Sequence, residues 1–405
     1  MRHTDVKYWV MRRLTVLIAV LFVLAAPGFA VAQSVPPAAR ARDLGVPFDG
    51  TPGALNAITD VGGVEVGTVS LVRGEGALKV GEGPVRTGVT TVFPRGLRNS
   101  DPVYAGWFSL NGNGEMTGTT WLDESGFLEG PVAITNTHSV GVVRDSIISW
   151  QLKHGMLHQL WDLPVVAETF DGWLNDIDGF HVKPTDVFTA LDGAKGGPVP
   201  EGNTGGGTGM VCYGFKGGTG TSSRVLTKED GGYTVGVLVQ CNCGRRPELT
   251  IAGVPVGKEI TQGVPYPGLP PMQVPAGSET RGDTGSIIIV IATDAPLLPT
   301  QLKRLARRAT MGLARTGSVS GNSSGDIFVA FSTANPHADS DPGPNLVKTI
   351  SNERITPLFT ATVQATEEAI VNAMVGAKTM TGVDGHSAIA LPHEQLQQVL
   401  KKYGR

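Results

Sequence analysis

Charge is scarce in this chain. Only 17% of its 405 residues are Asp, Glu, Lys or Arg, and the formal net charge is −3. Such a balance provides no basic footprint for nucleic acid and nothing that favours an acidic partner. Long apolar runs are missing beyond residue 33. A helical membrane span needs about 20 apolar residues, so no segment after that point is predicted to cross a bilayer. Cysteine is rare as well: Cys212, Cys241 and Cys243 are the only three. An odd number in an exported protein excludes complete intramolecular pairing. Cys241-Asn242-Cys243 would set two sulfurs on one face of a strand, awkward for a bridge. All three therefore read as buried small apolar side chains.

Glycine, by contrast, is abundant, with 55 residues beside 27 prolines and 40% hydrophobic residues. This describes a turn-rich globular protein with many strands rather than a disordered one. The length suffices for a large core but does not separate one big domain from two. At the N-terminus, Arg12 and Arg13 precede an apolar segment over 14–26 and a small-x-small site, Ala30-Val31-Ala32. This pattern predicts a secretory signal over 1–32, removed on export. The apolar segment is short for an anchor. The expected product is periplasmic or secreted, with no membrane attachment after signal cleavage. The arginine pair leaves both the Sec and the twin-arginine routes open.

Short strands broken by glycine are predicted from Ala57 onward, over 64–66, 89–93, 104–110 and 132–135. Ile148, Leu152, Met156 and Leu160 recur at four-residue spacing, which predicts a helix over 146–160. Residues 164–168 read as a buried strand ending on Glu168. Residues 33–50 read as an extended leader, 196–224 as glycine-rich turns, 233–240 as a strand and 263–285 as a surface loop or linker. Beyond it the order is strand 287–292, helix 300–314, strand 327–331, helix 353–375 and helix 393–403. This mixture predicts a layered α/β fold. No internal repeat is present.

The chemistry concentrates at Gly285-Ser286, where a small flexible residue and a hydroxyl stand at the mouth of the apolar run Ile287-Ile288-Ile289-Val290-Ile291-Ala292. If the backbone breaks there, Ser286 carries both a nucleophilic hydroxyl and its own α-amine. An unperturbed α-amine has a pKa of roughly 7.7–8.0, so part of it is a neutral base near pH 7. Ser324 and Asp326 are two apart at the start of a strand and share one face, where they could orient a hydroxyl or an ammonium. Plain turn chemistry is the competing reading of Ser-Gly-Asp. Asn242, at a strand end, could donate to an oxyanion or simply satisfy local backbone groups. Glu168 could pair with a substrate ammonium or be a surface acid at a turn.

Other signals carry less. His154 and His158 stand at a zinc-binding spacing, but Gly155 occupies the place of the required glutamate, so they read as solvated helix residues. Gly205 to Gly220 resembles a phosphate cradle without the Gly-Lys-Ser/Thr triplet, and reads as tight turns against the active site. His138 could be a general base or a satisfied polar residue after a strand.

Five segments in order resemble one family. They are Asn56-Ala57-Ile58-Thr59-Asp60-Val61, the run from Gly130 through Asn136-Thr137-His138 to Gly141, Glu168-Thr169-Phe170-Asp171-Gly172 with Leu174-Asn175-Asp176, Gly206-Gly207-Thr208-Gly209-Met210, and Ile291-Ala292-Thr293-Asp294-Ala295-Pro296-Leu297. The likeness is to the L-aminopeptidase/D-Ala-esterase-amidase family, which includes β-peptidyl aminopeptidases, and runs from about residue 41 to the C-terminus. It implies an αββα sandwich like that of N-terminal-nucleophile hydrolases but differently connected. It also implies self-cleavage at Gly285-Ser286 into chains 33–285 and 286–405 of one composite domain, with Ser286 as nucleophile.

By the same resemblance, Asn242 matches the oxyanion residue, Ser324 and Asp326 the Ser-x-acid pair, and Glu168 the carboxylate that receives the substrate amine. Phe170 stands where some relatives carry Tyr. Neither cofactor nor metal is implied. The implied substrates are short peptides, amides or esters with a free amine, and the implied assembly is a homotetramer of cleaved heterodimers. Two alternatives remain at this point: an acyltransferase on a similar sandwich, as in the ornithine acetyltransferase family, and a non-catalytic periplasmic binding protein.

Overall fold

A computed structural model describes residues 39–265, 285–339 and 344–405. The export signal expected over 1–32 lies outside the described residues, as does most of the loop expected over 263–285. In chain order the first elements are β1 (Glu65–Arg73), β2 (Val85–Phe93), β3 (Val103–Ser109), α1 (Thr119–Ser125), β4 (Phe127–Leu128), β5 (Val132–Asn136), α2 (Val140–His154), β6 (Val165–Thr169) and α3 (Pro184–Asp192). Next come β7 (Val211–Cys212), β8 (Phe215–Lys216), β9 (Gly218–Val225), β10 (Thr234–Asn242), α4 (Val256–Glu259), β11 (Ser286–Thr293), α5 (Pro299–Arg315) and β12 (Gly325–Ser332). The chain ends with α6 (Thr356–Val375), β13 (Met380–Thr381), β14 (Ser387–Ala388) and α7 (His393–Lys402).

Two sheets form the centre. One has the order β1-β2-β5-β6, the other β4-β3-β12-β11-β10-β9. Alternation along each strand divides its side chains between two layers. Val92, Val132, Ile134 and Ala167 of the first sheet meet Leu238, Ile288, Val290, Ile327 and Val329 of the second between the sheets. On the outer face of the first sheet, Val89, Ala133 and Val166 pack on Val143, Ile147 and Trp150 of α2 and Leu191 of α3. On the outer face of the second, Val239, Ile287, Ile289 and Phe328 pack on Leu302 and Leu305 of α5 and on Ala369 and Ala373 of α6. The expected αββα sandwich is the observed one.

β11 is apolar on both faces because both are covered, and its β-branched run suits a pleated central strand. Pro299 opens α5 in its first turn, where a missing N–H costs nothing. Leu302, Leu305, Ala306, Ala309 and Leu313 make its buried stripe while Lys303 and Arg307 stay exposed.

Three local expectations are corrected. The helix expected over 146–160 is α2, which starts six residues earlier and stops at His154. Gly155 ends it in a left-handed conformation, φ 62°, with its N–H on the Gln151 and Leu152 carbonyls. Leu152 and Leu160 belong to no core stripe, being 60% and 93% exposed. The glycine-rich stretch 196–224 contains all but the last residue of an edge strand, β9, beneath α6. A Cβ on Gly220 would collide with the Ala369 carbonyl, so glycine there lets the helix sit on the sheet. The cysteines are buried as expected, yet Cys212 and Cys241 are disulfide-bonded, with Cα atoms 5.9 Å apart. The β7–β8 turn folds Cys212 back onto β10, a contact across 29 residues.

Candidate active site

Ser286 is the first residue of β11 and is flanked on both sides. Across the antiparallel ladder it stands opposite Asn242, and across the parallel ladder opposite Gly325. Its side chain shares the inter-sheet face with Ile288 and Val290. The hydroxyl is buried and makes no hydrogen bond among the described residues. A buried hydroxyl without a partner is costly, and it is at the same time an oxygen available to a reacting carbonyl.

Asn242 ends β10 on that same face. Its Oδ1 accepts from the Val211 N–H at 2.8 Å. This bond sets the amide's orientation and turns its NH₂ into the donor end. Directly opposed residues in an antiparallel pair have Cβ atoms roughly 4.5–5.5 Å apart, a spacing suited to a donor beside a nucleophile.

Ser324 and Asp326 meet as the two-residue spacing requires: the Ser324 hydroxyl donates to Asp326 Oδ1 at 2.7 Å, and both are fully buried. Because Gly325 lies opposite Ser286, the pair brackets that residue from the neighbouring strand. Asp326 has the parity of Phe328, which faces the helices, so it is placed to meet the main chain at Ser286 rather than the hydroxyl. Asn111 holds it there, accepting from the Asp326 N–H at 2.7 Å and donating to Oδ2 at 3.4 Å.

Glu168 comes from the other sheet, near the end of β6, and is 3% exposed. It accepts from the Glu115 N–H at 3.0 Å and from the Thr137 hydroxyl at 2.5 Å. Burial nevertheless pushes its pKa above the ordinary carboxylate range, against those two bonds. A Cβ on Gly114 would stand 3.1 Å from the Gly325 Cα and 3.3 Å from Glu168 Oε1. Gly114 is thus the thin spacer between the carboxylate and the head of β12. Ser286, Asn242, Ser324, Asp326 and Glu168 therefore gather at one end of the sandwich. Phe170, two residues past Glu168, is 48% exposed.

Several contributors were not legible beforehand. Asn111 and Asn113 sit in a turn-like Asn-Gly-Asn-Gly stretch that gives no hint of stapling the segment before β12, yet Asn113 donates to the Ser323 carbonyl at 2.7 Å. Below Glu168, fully buried Asp171 accepts from Asn136 at 3.1 Å and Asn175 at 3.0 Å, and burial pushes it up to about 6. Lys216 is also fully buried, and burial pushes it down to about 7 against the charge of Asp171.

The remaining candidates do not join. His154 ends α2 on the Trp150 carbonyl at 2.7 Å, whereas His158 lies past the helix on Asp339 at 2.7 Å, so the two share no ligand face. His138 faces Asp178 at 3.2 Å and stacks on Phe180. Among the described residues, only Cys212, Cys241 and Cys243 cluster closely enough to share a metal ion, and two of them are disulfide-bonded.

The chain matches known proteins along most of its length. The family model described as Peptidase family S58 matches residues 56–388. The beta-peptidyl aminopeptidase BapA of Sphingosinicella microcystinivorans is 58% identical over 370 residues, 90% of this chain and 93% of that protein. BapA of Sphingosinicella xenopeptidilytica is 51% identical over 89% of this chain and 91% of its own. Among solved structures, an L-aminopeptidase D-Ala-esterase/amidase from Ochrobactrum anthropi, a variant of the Ntn-hydrolase fold, superimposes with a TM-score of 0.81 at 48% identity, covering 90% of this chain and 99% of that one. A family match of this extent and relatives this similar along nearly the whole chain lead to one assignment: the chain belongs to peptidase family S58 and is an aminopeptidase-type hydrolase of peptide bonds.

Proposed function

We propose that the chain cuts itself between Gly285 and Ser286 and then acts as a serine aminopeptidase. The observation that carries this reading is the seat of Ser286: head of an inner strand, Asn242 opposite, Ser324 and Asp326 on the other flank. In self-cleavage the Ser286 Oγ attacks the Gly285 carbonyl carbon. The C–N bond breaks as the C–O bond forms, and the hydroxyl proton passes to the departing nitrogen. Water then hydrolyses the ester, leaving a Gly285 carboxylate and a free Ser286 amine and hydroxyl. Gly285 adds no side-chain bulk to this rearrangement.

In turnover the same oxygen attacks the first peptide bond of a substrate, and the Ser286 amine takes and returns the proton. Asn242 donates to the oxyanion, Ser324 and Asp326 orient the amine, and Glu168 receives the substrate ammonium. Phe170 contributes no hydroxyl, which leaves Asn242 as the side-chain donor. The names of the two BapA relatives support β-aminoacyl peptides as substrates. The residues before 33 support export to the periplasm or beyond, and the family resemblance supports a tetramer of cleaved heterodimers.

Intact-mass spectrometry and N-terminal sequencing of the purified protein test the reading together. A lighter fragment beginning Ser-Ile-Ile-Ile is expected, and Ser286→Ala should leave one inactive chain. An active preparation of uncut chains would overturn it.

A further inference from the structure

One peptide unit joins a buried cation to the oxyanion donor. The Met210 carbonyl accepts from Lys216 Nζ at 2.9 Å, and the N–H on the other side of the same peptide bond, that of Val211, donates to Asn242 Oδ1 at 2.8 Å. Lys216 spends its remaining donors on the carbonyls of Gly217 at 2.9 Å and Gly207 at 3.3 Å. No carboxylate is within hydrogen-bond reach of it among the described residues, although the charge of buried Asp171 acts on it. Sealing an ammonium among backbone carbonyls costs far more than sealing a methionine of similar length. Packing therefore does not account for a lysine here.

We propose that Lys216 is a positioning residue for the oxyanion donor, acting on Asn242 through the Met210–Val211 peptide unit. The inference rests on the reading of Asn242 given above. Two effects combine. The first is geometric. Lys216 gathers the Gly207, Met210 and Gly217 carbonyls, and Met210 O also takes the Gly217 N–H at 2.9 Å, so the turn that presents Val211 is clamped. The Thr169 hydroxyl on the Met210 sulfur, at 2.8 Å, ties the same turn to the residue after Glu168. The second is electronic. An amide is resonance-coupled, so an ammonium on its oxygen makes its N–H a stronger donor. Val211 passes that polarisation to the Asn242 amide in the same way, and its NH₂ faces the developing negative charge as a better donor. The relay matters most when the oxyanion exists, which is the condition for lowering a barrier rather than tightening ground-state binding.

The experiment compares wild type, Lys216→Met, Asn242→Ala and the double variant on an aminoacyl p-nitroanilide. Binding of an amino aldehyde, which forms an oxyanion-like adduct with Ser286, is measured beside binding of the product amine. Lys216→Met is expected to lower kcat on the order of tenfold, a part of the roughly 10²–10³-fold loss expected when a whole oxyanion donor goes. KM and product affinity should stay within about twofold, aldehyde affinity should fall in step with kcat, and Lys216→Met should add nothing in the Asn242→Ala background.

An unchanged kcat, or equal losses in kcat and product binding, overturns the proposal. If the variant does not accumulate folded, wild-type protein labelled with ¹⁵N-valine decides: the Val211 amide proton should move downfield when the aldehyde binds, and a stationary resonance overturns the proposal. Failure of the parent reading looks different, since wild type would then be uncut or Ser286→Ala active.

Discussion

Asn242 and Ser286 face each other directly across β10 and β11, both on the inter-sheet side of the sheet. The proposed donor and the proposed nucleophile are thereby held by the same ladder of backbone hydrogen bonds. Neither depends on a mobile loop for its distance from the other.

Removing that donor should cost rate rather than binding. Asn242→Ala is expected to lower kcat about 10²–10³-fold, roughly 3–4 kcal/mol, with a small change in KM. The proposed self-cleavage should slow as well, because its tetrahedral intermediate would form at the same place. Steady-state kinetics and a timed denaturing gel measure the two effects, and a pure KM effect would assign Asn242 to substrate binding.

Asp326 and Ser324 bracket the Ser286 main chain, so their proposed charge partner exists only after the cut. Asp326→Asn should therefore reduce turnover more than self-cleavage. A nearby carboxylate stabilises an ammonium and raises its pKa. Its loss should move the acidic limb of the kcat/KM profile to lower pH while depressing the plateau. An unmoved limb would detach Asp326 from the amine.

Glu168 is a buried acid with a raised pKa. Such a group stabilises the fold below its unfolded pKa of about 4.3, and that contribution is lost as pH rises through the higher folded value. Where it is ionised, the carboxylate is thus a cost to the free enzyme that a substrate ammonium would offset. Glu168→Gln can keep one acceptor for Glu115 N–H and meet the Thr137 hydroxyl with its amide. It should melt at the same temperature or higher at pH values above the raised Glu168 value, yet raise KM for free-amine substrates about tenfold or more. In wild type, KM should climb as pH falls through the raised Glu168 value, and the variant should lose that climb. A lower Tm with unchanged KM would make Glu168 a structural residue.

The Cys212–Cys241 bridge closes a loop of 29 residues and neighbours both Val211 and Asn242. Cys212→Ser should lower stability by about 3 kcal/mol in denaturant titrations under non-reducing conditions. Reductant should then leave the variant unaffected while destabilising the wild type. Equal stability with and without reductant in wild type would show that the bridge contributes nothing.

Ser324 and Asp326 were legible because their relationship is local, two residues on one strand. β11 was legible because eight consecutive buried positions leave a run that water would not tolerate exposed. Glu168 could be placed at the end of a buried strand, but not beside Ser286, since the two lie on different sheets with 117 residues between them. β9 was hidden because glycine, poor in strand preference, is needed there by a helix that arrives far later in the chain.

Periodicity and residue type along the chain thus settled the strands around Ser286 and the exposed face of α5. These follow from contacts within one element or from the aversion of apolar runs to water. Folding in three dimensions settled the rest: the Cys212–Cys241 bridge, the Asn111 clamp on Asp326, the Gly114 spacer and the carbonyl cage of Lys216. Each joins segments distant in sequence through a single hydrogen bond or close approach. A contact of that kind leaves no repeating pattern in either partner, and it becomes visible only when both sheets and their turns are packed together.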